Sequence, residues 1–135
     1  MENLKSPSLI LDLQRVRTNA KRISDVAMRN HSRLRPHIKT HKCIEIARIQ
    51  TEGFDGAITV STLAEARAFA QNGFSDITYA VPIEPGKFDD CVEILRGGVK
   101  LNLLTDDAQT AKQLDEAAGR AGVKFDVFIK IDCGT

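Results

Sequence analysis

Short apolar runs bounded by turn residues recur along this chain, each separated from the next by one stretch of helical period. That alternation limits the fold more than any other feature. The clearest runs are Gly56-Ala57-Ile58-Thr59-Val60, Asp76-Ile77-Thr78-Tyr79-Ala80-Val81, Val99-Lys100-Leu101-Asn102-Leu103-Leu104 and Phe125-Asp126-Val127-Phe128-Ile129-Lys130-Ile131-Asp132. Their centres recur at roughly 20 to 27 residues, the spacing of successive βα units in a parallel sheet. A further extended candidate, Ser8-Leu9-Ile10-Leu11-Asp12, precedes them.

The intervening stretches carry helix signals. From Leu13 to about Asn30 the set Leu13, Val16, Ala20, Ile23, Val26 and Ala27 recurs every three or four residues and marks one helix face, with Arg15, Arg17, Lys21 and Arg22 mostly off it and solvated. A second helix is predicted over Cys43 to Glu52, with Gly53 as its C-terminal stop. Thr62 and Glu65 have capping-box spacing at the start of a third. Pro85-Gly86 opens a fourth that Gly97-Gly98 stops, and Thr105-Asp106-Asp107 caps a fifth that ends near Gly122.

The run Arg33-Leu34-Arg35-Pro36-His37-Ile38-Lys39-Thr40-His41-Lys42 is patterned inside out for a half-buried strand. Read as extended, it places Arg35, His37, Lys39 and His41 on one face and Leu34, Pro36 and Ile38 on the other. A cationic or titratable face must look into water, a ligand or a partner anion. A solvated edge strand is the plain alternative. His37 and His41 have the H-x-x-x-H spacing of a helical zinc pair, but four residues of strand would set the imidazoles roughly 13 Å apart, so no metal is assigned to them. His31 reads as a helix-end residue facing solvent.

The fold class that accommodates these elements is α/β, a partial (β/α)8 TIM-type barrel of about five βα units with parallel strands. An open doubly wound sheet would need both faces of every strand apolar, which the cationic face contradicts, whereas a barrel lumen tolerates polar side chains at the C-terminal ends of its strands. The last strand has no helix after it to cover its face. Residues 1–135 are therefore expected to be the N-terminal part of a barrel domain whose remainder, with a C-terminal β domain, lies on a longer polypeptide.

A formal net charge of +1 supplies no general attraction to nucleic acid or to an anionic membrane. The absence of Trp and the single Tyr also argue against an aromatic platform for single strands. No apolar run approaches a membrane span, and residues 1–5 lead into a polar helix pattern without the apolar segment of a secretory signal. Cys43, Cys91 and Cys133 are odd in number, widely spaced and without a C-x-x-C pair, which suits a reducing compartment. A cytoplasmic location is expected.

At Arg35-Pro36-His37-Ile38-Lys39-Thr40-His41-Lys42 the sequence resembles the D-threonine aldolase and D-serine dehydratase group of the alanine racemase N-terminal-like, fold-type III pyridoxal phosphate enzymes. Supporting matches are the opening Ser6-Pro7-Ser8-Leu9-Ile10-Leu11-Asp12, the stretch from Gly56 to Ala66, the stretch from Asp76 to Ile83, and Ile129-Lys130-Ile131-Asp132-Cys133-Gly134-Thr135. The resemblance implies an α/β barrel, pyridoxal 5'-phosphate as cofactor, and Lys39 as the residue forming the internal aldimine. It implies a lyase acting on small D-amino acids, by aldol cleavage or dehydration, with a homo-oligomeric enzyme and no nucleic-acid or membrane partner. A divalent metal is implied only through the C-terminal portion. The alternatives are a racemase of the alanine racemase type, a non-catalytic pyridoxal phosphate-binding protein, and an inactive truncated fragment. Alanine racemases have a lysine matching Lys130 that assists a cofactor-contacting arginine. Lys130 is thus either a contact on the cofactor side of the lumen or a surface lysine at a strand end.

Lysine at position 39 suits such chemistry. Attack on an aldehyde needs a neutral amine, free lysine titrates at about 10.4, and nearby positive charge with partial burial disfavours the ammonium form. Arg35, His37, His41 and Lys42 are the groups expected to supply that charge. Lys42 fits less well than Lys39, since it falls on the other parity or in the following loop. His37 is either near the cofactor or a hydrogen-bonded structural histidine. No phosphate-cradling glycine motif occurs.

Overall fold

The computed structural model describes residues 5–134. The reading of the polar N-terminal lead therefore lies outside the described residues at positions 1–4, as does position 135 of the last motif.

Four parallel strands form one sheet: β1 (Ile58–Val60), β2 (Asp76–Pro82), β3 (Lys100–Thr105) and β4 (Asp126–Ile129). Their spatial order is β1-β2-β3-β4, the same as their order in the chain. A doubly wound sheet reverses direction at a switch point, whereas a singly wound one steps always the same way and curls toward a barrel. The order thus decides for the barrel-type arrangement.

Helices α1 (Leu13–Arg29), α2 (Ile44–Thr51), α3 (Leu63–Ala70), α4 (Phe88–Arg96) and α5 (Ala108–Ala121) lie close to their predicted places. Local chemistry explains their ends. Asp12 accepts the Arg15 amide at the start of α1, Thr62 and Glu65 complete the predicted capping box of α3, and Asp107 accepts the Thr110 amide ahead of α5. Pro85–Lys87 form a short 3-10 turn that leads into α4. Beyond α5, Gly122 takes a left-handed conformation (φ 65°) that only glycine adopts without cost.

Strand register separates two faces. Ile58, Ile77 and Leu101 align in one row, with Val60 and Leu103 on the same face, and all five are at most 1% exposed. They pack with Ala66 and Phe69 of α3, Cys91 and Ile94 of α4 and Leu114 of α5 in a single core. Burying each large aliphatic side chain contributes about 1.5–3 kcal/mol, so this layer is the main support of the sheet. The opposite face carries Thr59, Thr78 and Asn102 in one row. A face apolar throughout, set against one that carries this polar row, fits a lumen better than a sheet with helices on both sides.

Two expectations are corrected. The run from Arg35 to His41 is not a strand: one parallel bridge joins His37 to Thr59, and Ile38–Thr40 then form a 3-10 turn. Pro36 has no N–H for a ladder, although its carbonyl accepts the Thr59 amide at 2.9 Å. The Lys42 and His41 amides both return to Ile38 O, at 2.8 and 3.2 Å, instead of pairing with a neighbour strand. Second, residues 8–12 form no strand, and Leu9 is 98% exposed. The apolar stripe of α1 is largely open: Leu13, Ile23 and Val26 are exposed and only Ala27 is buried. It faces a groove of about 330 Å³ with Leu34, Pro36 and Ile46 on its other walls. On β4, Val127, Phe128 and Ile129 are all exposed, so neither of its faces is covered within this chain.

Candidate functional site

The site forms where the chain leaves the C-terminal end of the sheet on its β1 side. His37 sits beside Thr59, and two residues later Lys39 occupies the middle of the 3-10 turn with its side chain exposed. Ser61, the residue after β1, brings its hydroxyl to 3.4 Å from His37 Nε2. The Lys39 amide donates to His37 Nδ1 at 3.3 Å. In the neutral ring an accepting Nδ1 leaves the proton on Nε2, where it donates to Ser61 Oγ. Burial first, and the Lys39 charge second, lower the His37 pKa, against an opposing pull from Glu65. A neutral His37 thus caps the turn that carries Lys39.

The other cations of the run are diverted. Arg35 Nη1 donates to Asp76 Oδ1 at 2.7 Å, and Asn102 Nδ2 donates to the same oxygen at 2.9 Å. Lys42 Nζ lies 3.0 Å from Glu65 Oε1. His41 accepts the Cys43 amide at Nδ1 (3.1 Å), which leaves Nε2–H to donate to Gln50 Oε1 at 2.9 Å. The four residues therefore share no face. The positive charge expected to press on the Lys39 amine is taken up by Asp76 and Glu65. Lys39 itself carries no ion pair among the described residues, which leaves its amine open to a ligand.

Glu65 is the neighbour of this site that sequence reasoning underused. Its spacing to Thr62 revealed a cap, but nothing in the pattern revealed Lys42 as a partner. The carboxylate is 8% exposed; Oε2 accepts the Ser61 and Thr62 amides at 2.8 and 3.3 Å while Oε1 faces Lys42. Burial pushes this carboxyl up, but the Ser61 amide, Lys42 and the Thr62 amide outweigh it and hold it below the ordinary range. Asp76 was likewise missed, because its partner Arg35 lies far from it in sequence.

Lys130 follows β4, and its amide donates to Thr105 O at 2.8 Å. It stands at the same end of the sheet as Lys39, with three strands between them, and its side chain is exposed. Nothing joins it to His37 or Lys39. The extended spacing of His37 and His41 assumed from sequence does not hold, yet they turn to different partners, and no group of three metal-ligating residues occurs among the described residues. No helix among them is long and apolar enough to cross a membrane.

Comparison with known proteins adds four findings. The family described as alanine racemase, N-terminal domain, matches residues 11–135. The D-threo-3-hydroxyaspartate dehydratase of Delftia sp. (strain HT23) is 35% identical over 129 residues, covering 96% of this chain and 34% of that protein; its solved structure matches with a TM-score of 0.89 over 93% of this chain and 33% of that one. The D-serine dehydratase of Dictyostelium discoideum is 34% identical over 143 residues, covering 99% of this chain and 36% of that protein. The D-threonine aldolase of Filomicrobium marinum is 28% identical, with a TM-score of 0.86 over 96% of this chain and 35% of that one. The chain thus spans about a third of the length of the relatives it matches.

Proposed function

The chain belongs to the alanine racemase N-terminal domain family, and from that premise we propose that it is the cofactor-lysine part of a pyridoxal 5'-phosphate lyase acting on small D-amino acids. Lys39 is the attachment residue in this reading. One observation carries it: of the cations Arg35, Lys39 and Lys42 in this run, the outer two are each paired with a carboxylate, and Lys39 is the one left without an ion pair among the described residues, at the C-terminal end of the sheet. That is the end at which barrel enzymes place their active sites.

The residues present fit the aldehyde half of the cofactor. Lys39 supplies the amine, and the Ser61 hydroxyl, which accepts from His37, keeps its own hydrogen for a ligand. Bound, the cofactor supplies an electron sink for bonds broken at Cα of an amino acid. Within the chain, Lys39 Nζ would hold the cofactor aldehyde, and as a free amine it would take or return a proton. His37 caps the turn as a neutral acceptor and adds no charge beside that amine. In the same proposal, residues 1–135 are the N-terminal part of a barrel, and the phosphate contacts, any divalent metal and the cover of β4 come from sequence beyond it.

Borohydride reduction of the cofactor-loaded protein, followed by peptide mapping, tests the assignment. Label on Lys39 is expected; label confined to another residue would overturn it. Cleavage or dehydration of 3-hydroxy-D-amino acids separates a lyase from a racemase, which would instead interconvert the enantiomers of a simple amino acid.

A further inference from the structure

Lys42 has a left-handed backbone, φ 49°, which is disfavoured for any residue with a Cβ. A long cationic side chain gains nothing locally from that conformation, so something else must hold it. Its amide closes onto Ile38 O at 2.8 Å, and its ammonium lies 3.0 Å from Glu65 Oε1. Glu65 in turn binds the amides of Ser61 and Thr62 through Oε2. One buried carboxylate thus joins the end of β1, the start of α3 and the turn that bears Lys39. Capping α3 employs only Oε2, which leaves Oε1 for Lys42.

We propose that Glu65, acting through Lys42, is a positioning residue for Lys39. It holds the turn over residues 38–42 closed, with Lys42 kept in its left-handed conformation. It also occupies the second amine of the motif, so that Lys39 alone is offered to an aldehyde ligand. This inference rests on Lys39 being the attachment lysine. The charged and titratable groups facing the pair are His37 and Lys39 from the turn side; Arg35 is held away by Asp76, and His41 by Gln50.

The test compares Glu65→Gln, Lys42→Gly and the double variant in the full chain. Glutamine at the third helical position still serves a capping box, so amide protection over Leu63–Ala70 reports that α3 persists. Glycine adopts the left-handed backbone without penalty. Protection of the His41 and Lys42 amides, corrected for intrinsic exchange rates, should fall about five-fold in Glu65→Gln. The same substitution in the Lys42→Gly background should change the His41 amide no further, because the tether is already gone. Unchanged protection in Glu65→Gln, or an equal loss in both backgrounds, overturns the proposal, since an equal loss means that Glu65 acts only as a cap. A second readout is the borohydride-trapped label from pyridoxal 5'-phosphate itself. With Glu65 intact it is expected on Lys39; in Glu65→Gln it should divide between Lys39 and Lys42. Label still confined to Lys39 in the variant overturns the shielding role. Wild-type label absent from Lys39 overturns the functional assignment, while the exchange result judges the tether independently.

Discussion

Arg35 Nη1 reaches Asp76 Oδ1 at 2.7 Å, tying the segment before the Lys39 turn to the first residue of β2. Asn102 of β3 donates to the same oxygen, so one carboxylate joins three adjacent chain segments. The arginine that looked in sequence like part of a ligand-facing row is a structural strut.

The strut has an acid limit. Hydrogen bonding from Arg35 first, then from Asn102, holds the Asp76 carboxyl below its ordinary value against the cost of burial. A carboxyl whose folded pKa is depressed stabilises the fold above its unfolded value, about 3.9, and that stability is lost as pH falls through the folded value. Urea midpoints measured from pH 6 to pH 2 should fall more steeply for the native chain than for Asp76→Asn. At neutral pH the variant should lose about 1–2 kcal/mol, below the figure for a fully buried pair because both side chains keep some solvent contact.

His37 titrates with the opposite consequence for charge. Its pKa is lowered by burial and by Lys39, so the unfolded chain binds a proton more readily than the folded one. Stability contributed by neutral His37 is complete above about pH 6.5 and declines as pH falls from there toward the folded value. A His37→Gln variant should lack that step. Unfolding midpoints for both proteins at half-unit intervals between pH 5 and pH 8 check it; parallel curves would sink the assignment of a neutral, half-buried imidazole.

Replacing Lys39 with alanine should separate chemistry from stability. The side chain is exposed and carries no ion pair among the described residues, so the change should shift unfolding free energy by less than about 0.5 kcal/mol. Covalent trapping of pyridoxal 5'-phosphate should disappear. Circular dichroism melting and mass spectrometry after borohydride reduction report the two effects.

Leu101 stands at the centre of the apolar layer, 1% exposed, between Ile77 of β2 and the covering helices. Truncation to alanine should cost about 2–5 kcal/mol through lost burial and a residual cavity. Chemical denaturation should show the midpoint falling sharply; a loss under 1 kcal/mol would mean that this face is not the packed one.

The three thiols should react in order of exposure. Cys133 is exposed, Cys43 is half-buried beside Glu45, and Cys91 is buried with its pKa pushed up to about 12, chiefly by burial. Alkylation of the native chain at pH 8 should label Cys133 first and leave Cys91 unmodified until the chain unfolds. Peptide mapping over time provides the order.

Helical periodicity and local cap signals sufficed for the five helices and most of their ends, because those depend on neighbours within a few residues, and short apolar runs bounded by turn residues marked β1 to β4. The capping box at Thr62 and Glu65 and the glycine stops are of the same kind. Lys39 was also legible, through the motif resemblance and its odd setting among cations. The conformation of residues 35–42 was not. Alternation proposed a strand, but a ladder needs a partner with free amides in register, and the returning bonds to Ile38 O closed a turn instead.

Charge pairing was hidden for the same reason. Arg35 meets Asp76 across 41 positions, and Lys42 meets Glu65 only because β1 delivers Ser61 and the start of α3 beside the turn. Local sequence sets helices and caps, whose hydrogen bonds close within a turn, and it marks strands by their short apolar runs, although the ladders themselves join residues far apart in the chain. Which of three cations stays unpaired depends on long-range placement of carboxylates, and that follows from how the sheet is wound.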